Sequence, residues 1–262
     1  MKPLVAYSDS DEEAHGLIDQ QTDSSNLEQF ELKAHTDKST FQTFAESNDG
    51  ESSRLPALRW GKTPYENSWL CHVYIPVKLT RNFHHLLRQN TPEGWNYIMD
   101  QAALHLSLTR PIVLQRHETQ AFLHGVRDAV KKSGISQFAV GFAQFSCFPS
   151  DTSSRIFLSL ETSSGWTSMQ QLTQVLSKEL HALFSIQKFY EQPRFHVSFA
   201  YREVHSCDPR QEFIKHGHKI AQALNRSHGA TLQSQPAIYA NAIAVQTGRA
   251  IEYVNIPHTG ST

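Results

Sequence analysis

The chain has 262 residues, of which 39% are hydrophobic, so it can bury the core of one large domain or of two small ones. It contains no run of about 18 apolar residues, which argues against a membrane-spanning helix. Its first residues lack the apolar core of a signal peptide, and its three cysteines have neither disulfide-framework nor zinc-site spacing. The composition therefore predicts an intracellular protein that requires no metal or other cofactor.

Charge divides the chain into two parts. Residues 1–54 carry 12 acidic and 4 basic side chains, a net charge of −8, whereas residues 55–262 carry 20 basic and 13 acidic side chains, a net charge of +7. Residues 1–55 are rich in Ser, Asp, Glu, Gln and Thr without sustained periodicity, which predicts a disordered acidic tail. Residues 56–262 are predicted to fold. Their basic balance suits a polyanionic partner, although an ordinary solvated surface can have the same composition.

Hydrophobic patterning predicts strands and helices in alternation after the tail. In the first half, the predicted elements are a strand at 69–77, a short helix at 82–89, a strand at 104–109, a helix at 117–132, and a strand pair at 138–148 and 155–161. In the second half, they are a helix at 167–184, a strand at 195–201, a helix at 209–224, and a strand pair at 238–245 and 251–256.

The order helix–strand–helix–strand–strand therefore occurs twice. This recurrence predicts an α+β fold with two pseudo-symmetric lobes, each an antiparallel sheet with helices on its outer face. An active-site cleft is expected between the lobes.

Each half contains a strand with a His-x-Ser motif at the same place in this order. The first reads Leu-His-Leu-Ser-Leu over residues 104–108, and the second reads Phe-His-Val-Ser-Phe over residues 195–199. Because side chains alternate across a strand, the apolar residues are expected to point into a core. His105 and Ser107 then share the opposite face of one strand, and His196 and Ser198 share that face of the other.

Paired histidines and hydroxyls suit phosphodiester transesterification. Attack by a 2′-hydroxyl on the adjacent phosphate needs a base for the hydroxyl and an acid for the departing 5′-oxygen. Two histidines can hold complementary protonation states near neutral pH, and serine hydroxyls can donate hydrogen bonds to the phosphate oxygens. The His-x-Ser tripeptide alone is common. The evidence for a shared site is therefore the alternation of apolar and polar residues in each strand and the equivalent position of the two motifs in the two halves.

The two motifs resemble the paired His-x-Ser/Thr signatures of the 2H phosphoesterase superfamily. Residues 189–198, Phe-Tyr-Glu-Gln-Pro-Arg-Phe-His-Val-Ser, resemble the second motif of the U6 small nuclear RNA phosphodiesterases within that superfamily. The resemblance runs from about residue 69 to the carboxyl terminus, and residues 3–13 are similar to the opening segment of those proteins.

The resemblance implies a nuclear 3′–5′ exoribonuclease that acts on single-stranded RNA. We expect it to be a monomer and to act without metal, because the two histidines can supply both the acid and the base. Members of the family trim uridines and adenosines from the 3′ end of U6 RNA and leave a 2′,3′-cyclic phosphate, which some open to a 3′-phosphate. The implied site consists of two catalytic residues, His105 and His196, and of four substrate-binding residues, Ser107, Ser198, Tyr190 and Arg194. His105 is assigned as base and His196 as acid, although the pseudo-symmetry leaves this direction open.

Two other functions remain open at this point. One is another 2H reaction, such as hydrolysis of a cyclic phosphate or of a 2′–5′ linkage. The other is a non-catalytic RNA-binding scaffold. A metal site at His84 and His85, or at His216 and His218, is disfavoured because neither pair has helical i, i+4 spacing with a third ligand nearby.

Overall fold

The computed structural model describes residues 67–100, 104–150, 154–185, 193–204 and 209–258. The predicted acidic tail at 1–55 and the predicted stacking residue Tyr190 lie outside these ranges. In the described ranges, none of the helices combines the length and apolar character that crossing a bilayer requires.

The described residues contain four α-helices, eleven strands and a short 3-10 helix at Arg116–Glu118, which confirms the predicted α+β class. The helices are α1 (Arg81–Gln89), α2 (Thr119–Ser133), α3 (Trp166–Phe184) and α4 (Arg210–Gln233). The strands are β1 (Ser68–Pro76), β2 (Asn96–Tyr97), β3 (His105–Ser107), β4 (Ile112–Gln115), β5 (Phe138–Val140), β6 (Phe142–Pro149), β7 (Arg155–Thr162), β8 (His196–Glu203), β9 (Ile238–Ala240), β10 (Ala242–Thr247) and β11 (Ala250–Asn255).

Nine strands form one antiparallel sheet in the order β11-β10-β1-β3-β8-β7-β6, with β2 paired to β8 and β4 paired to β1. The boundary between the two lobes falls between β3 and β8, the two histidine strands. We call β1, β3, β4, β10 and β11 the first lobe, and β2, β6, β7 and β8 the second lobe. The predicted antiparallel lobes are thus joined into one hydrogen-bonded sheet.

Two antiparallel pairings mark an approximate twofold relation between the halves. Strands β3 and β8 pair at Leu106 and Val197, the central residues of the two His-x-Ser motifs. Strands β5 and β9 form a separate ribbon centred on Ala139 and Tyr239. The predicted strands at 138–148 and 238–245 were each expected to be single, but each divides between this ribbon and the large sheet.

Strand position departs from strand order along the chain. In the second lobe, β7 lies beside the histidine strand β8, and β6 is the edge. In the first lobe, β1 takes the place beside the histidine strand β3, β10 follows it, and β11 is the edge. The strand pairs β6–β7 and β10–β11 follow helices in the same order, yet they occupy different places in their lobes.

Helix α4 covers the second lobe and is longer than the predicted helix at 209–224. It packs on β6 and β7, where Gly217 lets its backbone approach Cys147, because a Cβ at this position would clash with the Cys147 sulfur. Beyond the predicted end, the Asn225 amide accepts from the Phe145 N–H at 2.7 Å and donates to the Phe145 carbonyl at 2.8 Å. These bonds satisfy backbone groups of the edge strand β6, and α2 and α3 pack against each other elsewhere.

Candidate active site

The motif strands present alternating faces. The apolar motif residues are all buried: Leu104, Leu106, Leu108, Phe195, Val197 and Phe199. On the opposite face, His105, His196 and Ser198 are half-buried, and Ser107 is exposed. The side-chain alternation expected from the sequence therefore places both histidines and both serines where they can meet a ligand.

The strand pairing brings the two motifs together. The antiparallel register about Leu106 and Val197 aligns His105 with Ser198 and Ser107 with His196. Residues so opposed have Cβ atoms about 4.5–5.5 Å apart. Each imidazole therefore lies beside the hydroxyl of the other motif as well as that of its own. The charge of His105 also reaches His196, because it contributes to lowering the pKa of that ring.

Two neighbours fix the ring of His196, and a third residue, Glu161, acts on its charge. Its Nδ1 lies 2.7 Å from the Arg194 carbonyl oxygen, and since a carbonyl only accepts, Nδ1 carries the proton and Nε2 is the titrating nitrogen. The Phe148 ring stacks on it with centroids 4.2 Å apart and planes 18° from parallel. Burial lowers the pKa of His196; the hydrogen bond to the carbonyl and the Glu161 carboxylate partly oppose that shift.

Glu161 is the cross-strand neighbour of His196 on β7 and is held by three donors. The guanidinium of Arg194 binds both carboxylate oxygens at 2.8 Å, Ser146 donates at 2.6 Å and Gln144 donates at 3.0 Å. Burial raises the pKa of Glu161, but these hydrogen bonds and the Arg194 charge outweigh it and hold that pKa below its usual value. A negative charge is therefore kept beside His196.

Arg194, predicted to bind substrate, is placed next to His196. Its guanidinium forms the bidentate pair with Glu161 and lies 4.7 Å from the centroid of Phe148, the ring on which His196 stacks. Both its main chain and its side chain thus brace the second histidine. A direct contact between Arg194 and substrate stays a prediction.

Ser198 has a buried partner. Its hydroxyl lies 3.1 Å from that of Ser159, the opposite residue on β7, and either group can be the donor. Ser159 is fully buried. A hydroxyl pair of this kind fixes the position of the Ser198 oxygen while leaving its second bonding direction for a ligand.

The environment of His105 is aromatic instead. Its ring meets His72 edge-on, with centroids 5.3 Å apart, and Tyr74 at 5.0 Å. His72 is buried, and its Nε2 lies 3.1 Å from the Thr109 carbonyl, so Nε2 carries the proton. Burial, aided by the His105 charge, lowers the pKa of His72 to about 3, which keeps that ring neutral.

The two sides of the site are therefore chemically different. Glu161 is opposite His196, whereas the equivalent position opposite His105 is Pro76. Within the described ranges, no group of three His, Cys, Asp or Glu side chains is arranged to hold a metal ion. The geometry offers two imidazoles and two hydroxyls on one face, one imidazole beside a carboxylate and the other beside neutral rings.

Sequence reasoning missed four supporting residues: His72, Phe148, Ser159 and Glu161. The alternation rule could have placed His72 and Tyr74 on one face of the predicted strand at 69–77. The pairing of β7 with β8, which depends on long-range register, could not have been found in the same way. Tyr190 remains a sequence-based expectation, since it lies outside the described residues.

The solved structure of Usb1 from Kluyveromyces marxianus has a similar fold. It aligns with a TM-score of 0.54 at 11% identity, over 71% of this chain and 97% of that one. The structure of the same protein with uridine monophosphate aligns with a TM-score of 0.55, also at 11% identity, over 71% and 98%. The shared feature at this identity is the fold.

Sequence relatives carry the same resemblance. U6 snRNA phosphodiesterase 1 of Bos taurus is 28% identical over 142 residues, 53% of this chain and 52% of the relative. The Xenopus laevis protein of that name is 29% identical over 139 residues, 51% and 54% of the two chains. The alignment spans about half the length of these relatives, and the resemblance predicted from the two motifs is confirmed.

A model of the HVSL family, described as an uncharacterised conserved protein, matches residues 41–255, and the chain belongs to that family.

Proposed function

We propose that this protein is a metal-independent 3′–5′ RNA exonuclease that trims oligouridine and oligoadenosine from the 3′ end of U6 small nuclear RNA. The observation that carries the proposal is the antiparallel pairing at Leu106 and Val197, which puts two His-x-Ser motifs on one face. The similarity to proteins named U6 snRNA phosphodiesterase 1, and to a Usb1 structure with a uridine nucleotide, supports this substrate.

The proposed reaction is a transesterification. One imidazole takes the proton of the penultimate 2′-hydroxyl, whose oxygen forms a bond to the adjacent phosphorus. The bond from phosphorus to the 5′-oxygen of the terminal nucleotide breaks, and the other imidazole supplies that oxygen with a proton. The product is an RNA with a 2′,3′-cyclic phosphate and a free nucleoside; opening the cyclic phosphate with water would give a 3′-phosphate.

We assign His105 as the base and His196 as the acid. Tyr190, expected to stack on the terminal base, precedes His196 in the chain, so the leaving nucleoside is placed at the second motif. Burial lowers the pKa of His196, which makes its protonated form a stronger acid, while Glu161 limits the loss of that form. The hydroxyls of Ser107 and Ser198 donate to the non-bridging oxygens, where charge accumulates.

The first experiment uses 3′-oligouridylated RNA in EDTA with the full chain. We expect stepwise shortening and cyclic-phosphate ends. His105→Ala and His196→Ala should each slow trimming by about 10²–10⁴-fold, the usual contribution of general acid–base catalysis. His124→Ala removes an exposed histidine of α2 and should leave the rate unchanged. Trimming that survives either motif substitution with an unchanged melting temperature would refute the two-histidine mechanism.

The same assay separates the alternatives. Removing the penultimate 2′-hydroxyl should stop the reaction, because that group is the proposed nucleophile. Cleavage confined to cyclic phosphates or to 2′–5′ linkages would indicate another 2H activity. RNA binding without any cleavage would indicate a non-catalytic scaffold. A requirement for added metal would contradict metal independence.

The proposal also includes a nuclear location and a monomeric active form. A protein that trims U6 RNA is expected in the nucleus, where it would serve the supply of RNA for mRNA splicing. The site is built from one chain, so we propose an active monomer. Fractionation of cells and light scattering of the purified chain test these two statements.

A further inference from the structure

An open cavity of about 540 Å³ lies beside Pro76, the residue opposite His105, and is lined by the segment that follows β1, by β9 and its flanking residues, by β11 and by the first residue of β6. We call it the tyrosine trough. Six of its lining residues carry the argument: Pro76, Lys78, Gln235, Tyr239, Asn241 and Tyr253. Pro76 is the cross-strand partner of His105, so the trough begins where the proposed catalytic face ends.

Sheet register gives the direction of the trough. Ser107, Tyr74, Ala244 and Tyr253 are aligned across β3, β1, β10 and β11. Neighbouring strands are about 4.8 Å apart, so the backbone of Tyr253 lies three spacings, about 14 Å, from that of Ser107. The trough is therefore continuous with the catalytic face but extends beyond the phosphate that the two histidines would hold.

Two tyrosines of the trough are unusually exposed. Tyr239 is 65% exposed and Tyr253 is 62% exposed, and they belong to a set of only six exposed large hydrophobic side chains in the described residues. An aromatic ring that stands open beside a catalytic face can stack on a nucleobase, which is the common mode of single-strand recognition. Neither ring serves the core.

The polar lining suits the rest of a nucleotide. The Lys78 ammonium is exposed and makes no ion pair with another described residue, so it can meet a phosphate. The Asn241 side chain is exposed and can bond a base edge. The Gln235 amide is already bonded to Thr80 and to the Thr231 carbonyl, which fixes the rim between α1 and α4.

We propose that the tyrosine trough is a subsite for a nucleoside of single-stranded RNA on the 5′ side of the scissile bond. The inference rests on the proposed function. In a 3′ exonuclease one nucleotide lies 3′ of the cleaved bond, so a subsite this far from the histidines can be filled only by upstream RNA. The trough would then favour longer RNA tails over the shortest substrates.

The test compares RNA lengths. Oligouridines of two to six nucleotides are cleaved by the full chain and by the Tyr239→Ala/Tyr253→Ala variant. We expect the variant to lower kcat/KM on the hexamer about 10-fold, within the range for lost base stacking, and to leave the dinucleotide unchanged. Replacing both residues by Phe keeps the rings and should restore the wild-type length dependence. Lys78→Ala should act in the same length-dependent way.

The controls separate this subsite from the proposed function. Leu183→Ala removes another exposed apolar side chain, from α3, and should show no length dependence. Equal losses at all lengths, or no loss on the hexamer, would overturn the subsite. If the wild-type chain cleaves nothing, the proposed function fails, and binding of a hexamer lacking the penultimate 2′-hydroxyl decides the subsite alone. Unchanged binding by the double alanine variant would then overturn it.

Discussion

The two histidines differ in the groups that orient them. His196 donates from Nδ1 to a carbonyl, stacks on Phe148 and faces a carboxylate across the strand pair. His105 is set against the neutral His72 and against Tyr74. Two residues of identical type and equivalent placement thus have different neighbours, and the proposed assignment of one as acid and the other as base builds on that difference.

A substrate with a sulfur leaving atom tests the proposed assignment of His105 as base and His196 as acid. In RNA whose terminal 5′-oxygen is replaced by sulfur, the leaving thiolate needs no proton, because thiols have pKa values of about 8.5, far below those of alcohols. We expect this RNA to restore cleavage by His196→Ala by at least about 10²-fold, the lower range of an acid's contribution, and not to restore cleavage by His105→Ala. Rescue of the His105 variant instead would reverse the assignment.

His72 should make stability depend on pH. Its pKa in the folded chain is about 3, against 6.5 without the fold, so the folded state favours the neutral ring. The contribution of the neutral His72 ring to the free energy of unfolding is fully present above pH 6.5. It is lost as the pH falls toward 3, because His72 binds a proton in the unfolded chain more readily than in the folded chain. Melting curves between pH 7.5 and 5 should therefore show a steeper loss for the wild type than for His72→Gln. Parallel pH dependences would contradict this explanation.

The sequence predicted which motif residues share a face, but not the residues that surround them. The alternation of Leu, His, Leu, Ser and Leu is a local property, so it predicted which side chains share a face. The pairing of Glu161 with Arg194, and of Ser159 with Ser198, depends on the register of β7 against β8. No local pattern encodes that register, since these strands are separated in sequence by α3.

At the level of elements, α4 shows how tertiary contacts extend a helix. The predicted end near residue 224 was reasonable, because Asn225, Ser227 and Gly229 are poor helix formers. The structure continues to Gln233 because Asn225 bonds to both backbone groups of Phe145 and because Leu232 is buried. Local propensity is outweighed by a contact made to the edge of the sheet.

Replacing Asn225 should measure that contact. Asn225→Ala leaves the N–H and the carbonyl of Phe145 without this partner, and an unsatisfied buried backbone group costs about 1–3 kcal/mol. We expect the free energy of unfolding in urea to fall by about that amount. Ser227→Ala, whose hydroxyl bonds only to the Ala223 carbonyl of its own helix, is the matched control and should change it by less than about 0.5 kcal/mol. Equal effects of the two substitutions would contradict the role of the edge contact.

Across the whole molecule, the repeated order of elements predicted the fold class but not the placement of strands. The recurrence predicts that residues 155–161 and residues 251–256 are equivalent, and each range does form the last strand of its half. In the sheet, β7 lies beside a histidine strand and β11 lies at an edge, because β1 occupies the corresponding place in the first lobe. The order of elements is local information, whereas the choice of neighbours depends on pairings such as that of β1 with β10.

Because each lobe contains strands from both halves of the sequence, cutting the chain between the halves should disrupt both lobes. Divided before Gly165, residues 1–164 would keep β1 and β3 but lose β10 and β11, and would keep β6 and β7 but lose β8. Neither fragment then holds a complete lobe. We expect each alone to give poorly dispersed amide spectra and the mixture to regain both dispersion and RNA trimming. A cooperative melting transition from either fragment alone would contradict this. Because His105 lies on one fragment and His196 on the other, RNA cleavage would appear only when the two fragments associate, and its rate would measure that association.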